Sequence, residues 1–206
     1  MKNQSIQKWC EQYSRKNMKF FSGEPHFPFN FSEMMNVFQV DDIITYIINE
    51  INQKDASCET FLITAISFDD LNLCTKLIQN GADPDLPSEQ DALICAIYSK
   101  GENSYSIFEM MLPFSKKGVW YVPRATGGTL LQEAVCEKRL DIVKLLFQNG
   151  AELSDMDIDA NPVWAYAMDI GGELYLTELE KLLPTNSSWK RPINLNLKLK
   201  NTLYGD

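Results

Sequence analysis

Between residues 60 and 85 the chain reads TFLITAISFDDLNLCTKLIQNGADPD, with apolar positions three and four residues apart in two short runs. Leu62, Ala65 and Ile66 share one face of a short helix that opens at Thr60. After an Asp69-Asp70 turn, Leu71, Leu73, Cys74, Leu77 and Ile78 form the stripe of a second helix. Gly81 stands where a helix end commonly needs a left-handed residue without a Cβ, and Asp83-Pro84-Asp85 turns the chain. Residues 129–154, TLLQEAVCEKRLDIVKLLFQNGAELS, repeat the pattern. Leu131, Ala134 and Val135 serve the first helix, Ile142, Val143, Leu145 and Leu146 the second, and Gly150 the cap. The hexapeptides Leu77–Ala82 and Leu146–Ala151 lie 69 residues apart, close to twice a period of about 33. Such a period means stacked helix pairs, each too small to bury its own apolar face.

Weaker copies surround these two. Asp91–Ile97 fits a first helix and Ile107, Phe108, Met110, Met111 and Leu112 a second, joined by a connection over Lys100–Ser106 that is longer than its counterparts. A link rich in turn residues follows at 112–128. Another unit opens at Asn161–Ala167, 32 residues after Thr129, with its second helix expected over Tyr175–Leu183 beyond Gly171-Gly172. Phe31–Phe38 and Asp41–Ile51 predict an N-terminal pair. The organisation is therefore an extension at 1–30, a stack at 31–183 with units near 31–55, 60–85, 91–115, 129–154 and 161–183, and a tail at 184–206. Residues 1–20 predict an amphipathic helix with Ile6, Trp9, Cys10 and Tyr13 on one side, and 23–31 an extended aromatic segment. In the tail, Ile193, Leu195, Leu197 and Leu199 alternate with polar residues, a strand-like pattern expected to fold back on its own domain or to join a partner's sheet edge.

The repeated segments resemble ankyrin repeats, whose pattern runs T-P-L-H-x-A-A, then I-V-x-L-L, then G-A-D. Thr60, Leu62, Ala65, Leu77, Gly81, Ala82, Asp83 and Pro84 match in one copy. Thr129, Leu131, Ala134, Ile142, Val143, Leu145, Leu146, Gly150 and Ala151 match in the other. The motif's histidine is missing from both, so each copy is divergent. The resemblance implies an all-α ankyrin-repeat solenoid of stacked helix-turn-helix units with short hairpin loops. It also implies protein binding through the outward positions of the first helices.

Composition narrows the picture. Hydrophobic residues at 45% and aromatics at 11% suffice for a folded core. No run approaches the roughly 18 apolar residues of a membrane span, and the first residues lack the apolar region of a secretory signal. Cys10, Cys58, Cys74, Cys95 and Cys136 are scattered and never form Cys-x-x-Cys, which reads as free thiols in a cytoplasmic protein. The net charge of −9 is uneven: residues 1–20 carry +4, residues 181–206 carry +4 and residues 21–180 carry −17. That field repels nucleic acid and attracts a basic surface.

Catalytic and metal patterns fail one by one. Asp155-Met156-Asp157-Ile158-Asp159 begins like a calcium loop, but Ala160 and Tyr166 stand at positions six and twelve, where glycine and glutamate are needed. His26, the single histidine, has no cysteine within zinc-ligand spacing and no nucleophile beside it. No phosphate-cradling glycine loop occurs. The expectation is a non-enzyme without catalytic residues, metal or cofactor.

What remains is a binding surface. The outward first-helix positions are expected to be Thr64, Ser67 and Phe68; Cys95, Tyr98 and Ser99; Glu133, Cys136 and Glu137; then Ala165, Met168 and Asp169. Phe68 and Tyr98 would be aromatic anchors. Glu89, Glu133, Glu137, Asp157 and Asp169 would supply charge complementary to a basic protein. Val119–Val122, with Trp120 and Tyr121, is a further contact candidate in the link. Three functions fit: a neutraliser such as a bacterial immunity protein that masks a basic partner, a host-directed bacterial effector, or an enzyme on an ankyrin-like scaffold. Residues 1–30 and 184–206 are too short to hold a catalytic domain, which disfavours the third.

Overall fold

The computed structural model describes residues 6–10, 31–55, 59–86, 91–122 and 127–192. Residues 6–10 are helical. Among the described residues nine α-helices follow: α1 Phe31–Met35, α2 Val40–Ile47, α3 Phe61–Ser67, α4 Leu71–Gln79, α5 Ala92–Tyr98, α6 Ser104–Met111, α7 Leu130–Cys136, α8 Leu140–Gln148 and α9 Val163–Glu180. Among the described residues no strand forms. Isolated bridges, Lys54 with Thr60 and Met156 with Pro162, close hairpins in front of α3 and α9. The chain divides into two compact units, Met1–Ser115 and Lys116–Asp206, with the border inside the predicted 112–128 link.

The first unit holds three helix pairs. First helices α1, α3 and α5 pack side by side, as do second helices α2, α4 and α6, and each first helix packs on its own second helix. Phe31 meets Phe61 edge to face at 4.6 Å between ring centres. Leu62, Ile66, Leu73, Leu77, Ile97, Ile107 and Phe108 fill the core between them. Each such side chain contributes about 1.5–3 kcal/mol by leaving water. Trp9 lies edge-on to Phe38 at 5.7 Å, which brings the helical stretch 6–10 onto the loop after α1.

The second unit pairs α7 with α8 and packs α9 on α7. Helix α9 is broken at Gly172 (φ 64°, ψ −158°), the break that Gly171-Gly172 predicts. Its leading part buries Val163, Trp164, Ala165 and Ala167, and its trailing part buries Tyr175, Leu176 and Leu179. The described part of the tail, up to residue 192, folds back. Ser188 donates to the Glu152 carboxylate at 2.7 Å. The Trp189 indole N–H and the Arg191 guanidinium both donate to Glu180.

Caps explain where the helices start and stop. Thr60, Asp70 and Thr129 accept the backbone N–H groups of Ile63, Leu73 and Gln132, at 3.3, 2.9 and 3.1 Å. Each cap is worth about 1 kcal/mol. Gln132 completes a capping box by accepting the Thr129 N–H. At the other end, Gly81 and Gly150 (φ 92° and 96°) donate to the carbonyls of Ile78 and Phe147, and Ala82 and Ala151 donate to those of Leu77 and Leu146. The Asn-Gly-Ala echo is thus a Schellman motif made twice, with a left-handed residue that favours glycine. Asn80 and Asn149 add a side-chain bond to the carbonyls of Lys76 and Leu145.

Three expectations change. Leu145 is half-buried, and Phe147 takes the core position instead, because the stripe of α8 runs Ile142, Val143, Leu146, Phe147. The long connection spans only 99–103, since Ser104–Ser106 already belong to α6. Thr64, Cys95 and Ala165 are buried rather than outward. A seven-residue first helix flanked by neighbours clears the stack only at its last residues. The segment 23–30 with His26, residues 11–20, Glu89, Cys58 and the strand-like 193–199 lie outside the described residues.

Candidate functional site

Some of the predicted contact residues lie on first helices or at their ends: Phe68 and Tyr98 in the first unit, Glu133, Glu137, Met168 and Asp169 in the second. In the first unit, Phe68 caps α3 and is 46% exposed, while Tyr98 ends α5 and is 40% exposed. Between them lies a clamp that the sequence did not reveal. Asp69, at a left-handed φ of 55°, accepts the Asn103 backbone N–H on its carboxylate at 3.1 and 3.2 Å. In return the Asn103 carboxamide donates to the Asp69 carbonyl at 2.9 Å. Gly101 lies beneath: a methyl group added there would come within 2.2 Å of the Asp69 carboxyl carbon. The two residues that lengthen the α5–α6 turn relative to its counterparts are thus accounted for by a tie between neighbouring repeats of the first unit.

In the second unit Glu133 and Glu137 are half-buried on α7, beside exposed Cys136, and Asp169 is exposed on α9 with Met168 half-buried next to it. Desolvation, then the charges of Glu133, Glu137 and Asp169, push the Cys136 thiol up to about 11. All three acids lie within electrostatic reach of this thiol. Cys74 and Cys95 are pushed up to about 12, chiefly by burial. All three stay protonated at neutral pH and are poor nucleophiles. Cys10, Cys74, Cys95 and Cys136 form no disulfide.

Asp157 has a different task. Its carboxylate accepts the Tyr166 hydroxyl at 2.6 Å, the Asn161 N–H at 2.7 Å, the Asp159 N–H at 2.9 Å and the Asn161 carboxamide at 3.2 Å. Partial burial works to raise its pKa, but these bonds outweigh it and hold the carboxyl below its ordinary value. Tyr166 is correspondingly raised, by desolvation and by its bond to Asp157. The carboxylate therefore braces the 156–162 hairpin from inside. Gln132, at the motif's histidine position, ties this hairpin to α7 by donating to the Asn161 carbonyl at 2.8 Å. Among the described residues no His, Cys, Asp and Glu group is arranged to hold a metal ion.

The link segment divides. Val119 is buried and Tyr121 half-buried, with the Lys117 ammonium 4.0 Å from the Tyr121 ring centre. Trp120 is 62% exposed, its ring beside Gly150 at the end of α8. Exposed Met156 and Ile158 on the hairpin were not foreseen, because a two-residue alternation in a loop reads as turn polarity. No described helix is long and apolar enough to cross a membrane.

Comparison with known proteins agrees with this geometry. Residues 62–157 match the family model for ankyrin repeats (3 copies), a span that takes in the pairs α3–α4, α5–α6 and α7–α8. The fold resembles the crystal structure of EF0377, an ankyrin repeat protein, with a TM-score of 0.58 at 20% identity, over 74% of this chain and 80% of that one. No curated protein matches the chain. Ankyrin folds are typically non-catalytic scaffolds for protein interaction. Residues 62–157 of this chain are ankyrin repeats, and the chain has the ankyrin-repeat fold.

Proposed function

We propose that the chain is a non-catalytic binding module that recognises a basic protein surface and masks it, in the manner of a cytoplasmic immunity protein. The observation that carries the reading is the trio of half-buried Glu133 and Glu137 on and just beyond α7 and exposed Asp169 on α9, all within electrostatic reach of the Cys136 thiol. These are the positions through which an ankyrin scaffold meets its partner. Three carboxylates placed close enough to act on one thiol favour lysine and arginine on the other side. The Cys74, Cys95 and Cys136 thiols are held protonated at neutral pH, which makes them poor nucleophiles.

The test is capture of partners on immobilised protein, followed by the same capture with Glu133→Lys/Glu137→Lys. Proteins of basic charge should be retained by the parent chain, released by salt and lost by about tenfold or more in affinity with the double variant. Equal retention by both would place the contact elsewhere. Loss of the captured protein's own activity in the complex supports masking. Retention of that activity favours the effector reading, in which binding redirects the partner.

A further inference from the structure

Three exposed apolar side chains of the first unit, which also exposes Ile48 and Phe114 elsewhere, follow a pattern. Val37 stands two residues beyond α1, Phe68 one residue beyond α3, and Tyr98 is the last residue of α5. Helices α1, α3 and α5 pack side by side in that order. The starts of α1 and α3 are brought together by Phe31 on Phe61, and the far ends of α3 and α5 are tied by the Asp69–Asn103 clamp. Each of these three first helices therefore contributes one exposed apolar group, at or just beyond its end, to a row along one edge. Packed helices lie about 8–10 Å apart, which sets the step of the row. The turns that carry it hold Asp69, Asp70 and Glu102 against a single cation, Lys100. Residues 31–115 as a whole have 14 carboxylates, three lysines and no arginine, a net charge of −11.

We propose that this row docks a basic amphipathic α-helix of the partner, with apolar residues seven positions apart. The inference rests on the protein-binding reading above and names the partner's form. A helix rises about 1.5 Å per residue, so a step of 8–10 Å takes about seven residues, two turns, and returns to the same face. An extended strand covers the step in about three residues and arrives on its opposite face. A polyproline helix also repeats near 9 Å, but it docks between stacked aromatic walls. Here Ser67 and Ser99 flank Phe68 and Tyr98. Lysines beside the apolar stripe would face Asp69, Asp70 and Glu102.

The probe is a synthetic helical peptide of about 18 residues, with leucine at every seventh position and lysine, alanine and glutamine elsewhere. It is compared with a peptide of the same composition whose leucines are dispersed around the helix, and with a proline-rich peptide of equal charge. Fluorescence anisotropy is read with the full chain at about 50 mM salt. The heptad peptide should bind at least about tenfold more tightly than either comparison, and Phe68→Ala and Tyr98→Ala should each weaken it by about tenfold with unchanged melting curves. Equal affinity for all three peptides, or no effect of both alanine variants, overturns the row. Preference for the proline-rich peptide overturns the helical occupant. If heptad binding responds to Glu133→Lys/Glu137→Lys and not to Phe68 and Tyr98, the row falls while the acidic-surface reading stands. Absence of binding to any basic peptide overturns the inference, and capture of a basic protein partner then shows separately whether the broader reading survives.

Discussion

Lys138 and Asp69 occupy the same place in their repeats, the left-handed residue after a first helix, both at φ 55°. Around each, two backbone bonds close a Schellman motif: Asp69 to Ile66 and Asp70 to Ala65, Lys138 to Val135 and Arg139 to Ala134. The conformation costs an L-residue about 1–2 kcal/mol. Lys138 gains little for it, since its ammonium is 5.9 Å from the Tyr175 ring centre. Lys138→Gly should therefore stabilise the protein by up to about 1 kcal/mol after glycine's own entropy cost, raising the melting temperature by a few degrees. Asp69→Gly relieves the same strain but removes the bonds to Asn103, and calorimetry should show a net loss. A second residue-scale expectation concerns pH. The Asp157 carboxyl lies below its unfolded value, so as pH falls the unfolded chain takes up its proton first. The stabilisation is complete above the unfolded pKa and disappears as pH drops through the folded one. Melting curves of Asp157→Asn should be lower than the parent's at neutral pH and should converge with them in acid.

At the scale of elements, the 3.6-residue pattern was legible where helices have a single buried face. In α4, Leu73, Cys74, Leu77 and Ile78 are all buried as their spacing requires. The doubled hexapeptide located the helix ends because each of its residues serves the cap. Gly171-Gly172 located the break in α9 for the same reason, a backbone need written in the residue type. First helices were less legible. Packed on a second helix and on a neighbouring first helix, they bury nearly every position, so Thr64, Cys95 and Ala165 vanish into the stack while Glu133 stays half-exposed. The clamp of Asp69 on Gly101 and Asn103 could not be read from spacing, because its partners belong to different repeats. Adjacent leucines on α8 test the corrected register. Leu146→Asp places a charge at a fully buried site and should unfold the second unit, whereas Leu145→Asp, at a half-buried site, should cost far less; circular dichroism melts separate them. Native-like melting of Leu146→Asp would refute the packing of α8.

For the whole molecule, charge is the quantity the sequence placed only in part. Residues 1–115 hold 16 carboxylates against eight lysines and arginines, while 116–206 hold 12 against 11, so the units carry −8 and −1. A basic partner should be drawn mainly by the first unit's field. Its association rate should fall by about tenfold or more between about 20 and 300 mM salt, with a much smaller change in dissociation, as stopped-flow mixing would measure. A salt-insensitive rate would mean that charge does not steer the encounter. The clamp also bears on how the molecule can be rebuilt. Repeat proteins invite the exchange of one unit for another, yet Asp69 keeps its strained backbone beside a carboxylate that the next turn satisfies. Replacing residues 91–115 with a copy of 129–154 would take away Gly101 and Asn103 and leave Asp69 with the strain alone. A transplant would have to carry position 69 with it, so the interchangeable block in this chain runs from the turn of one repeat to the turn of the next.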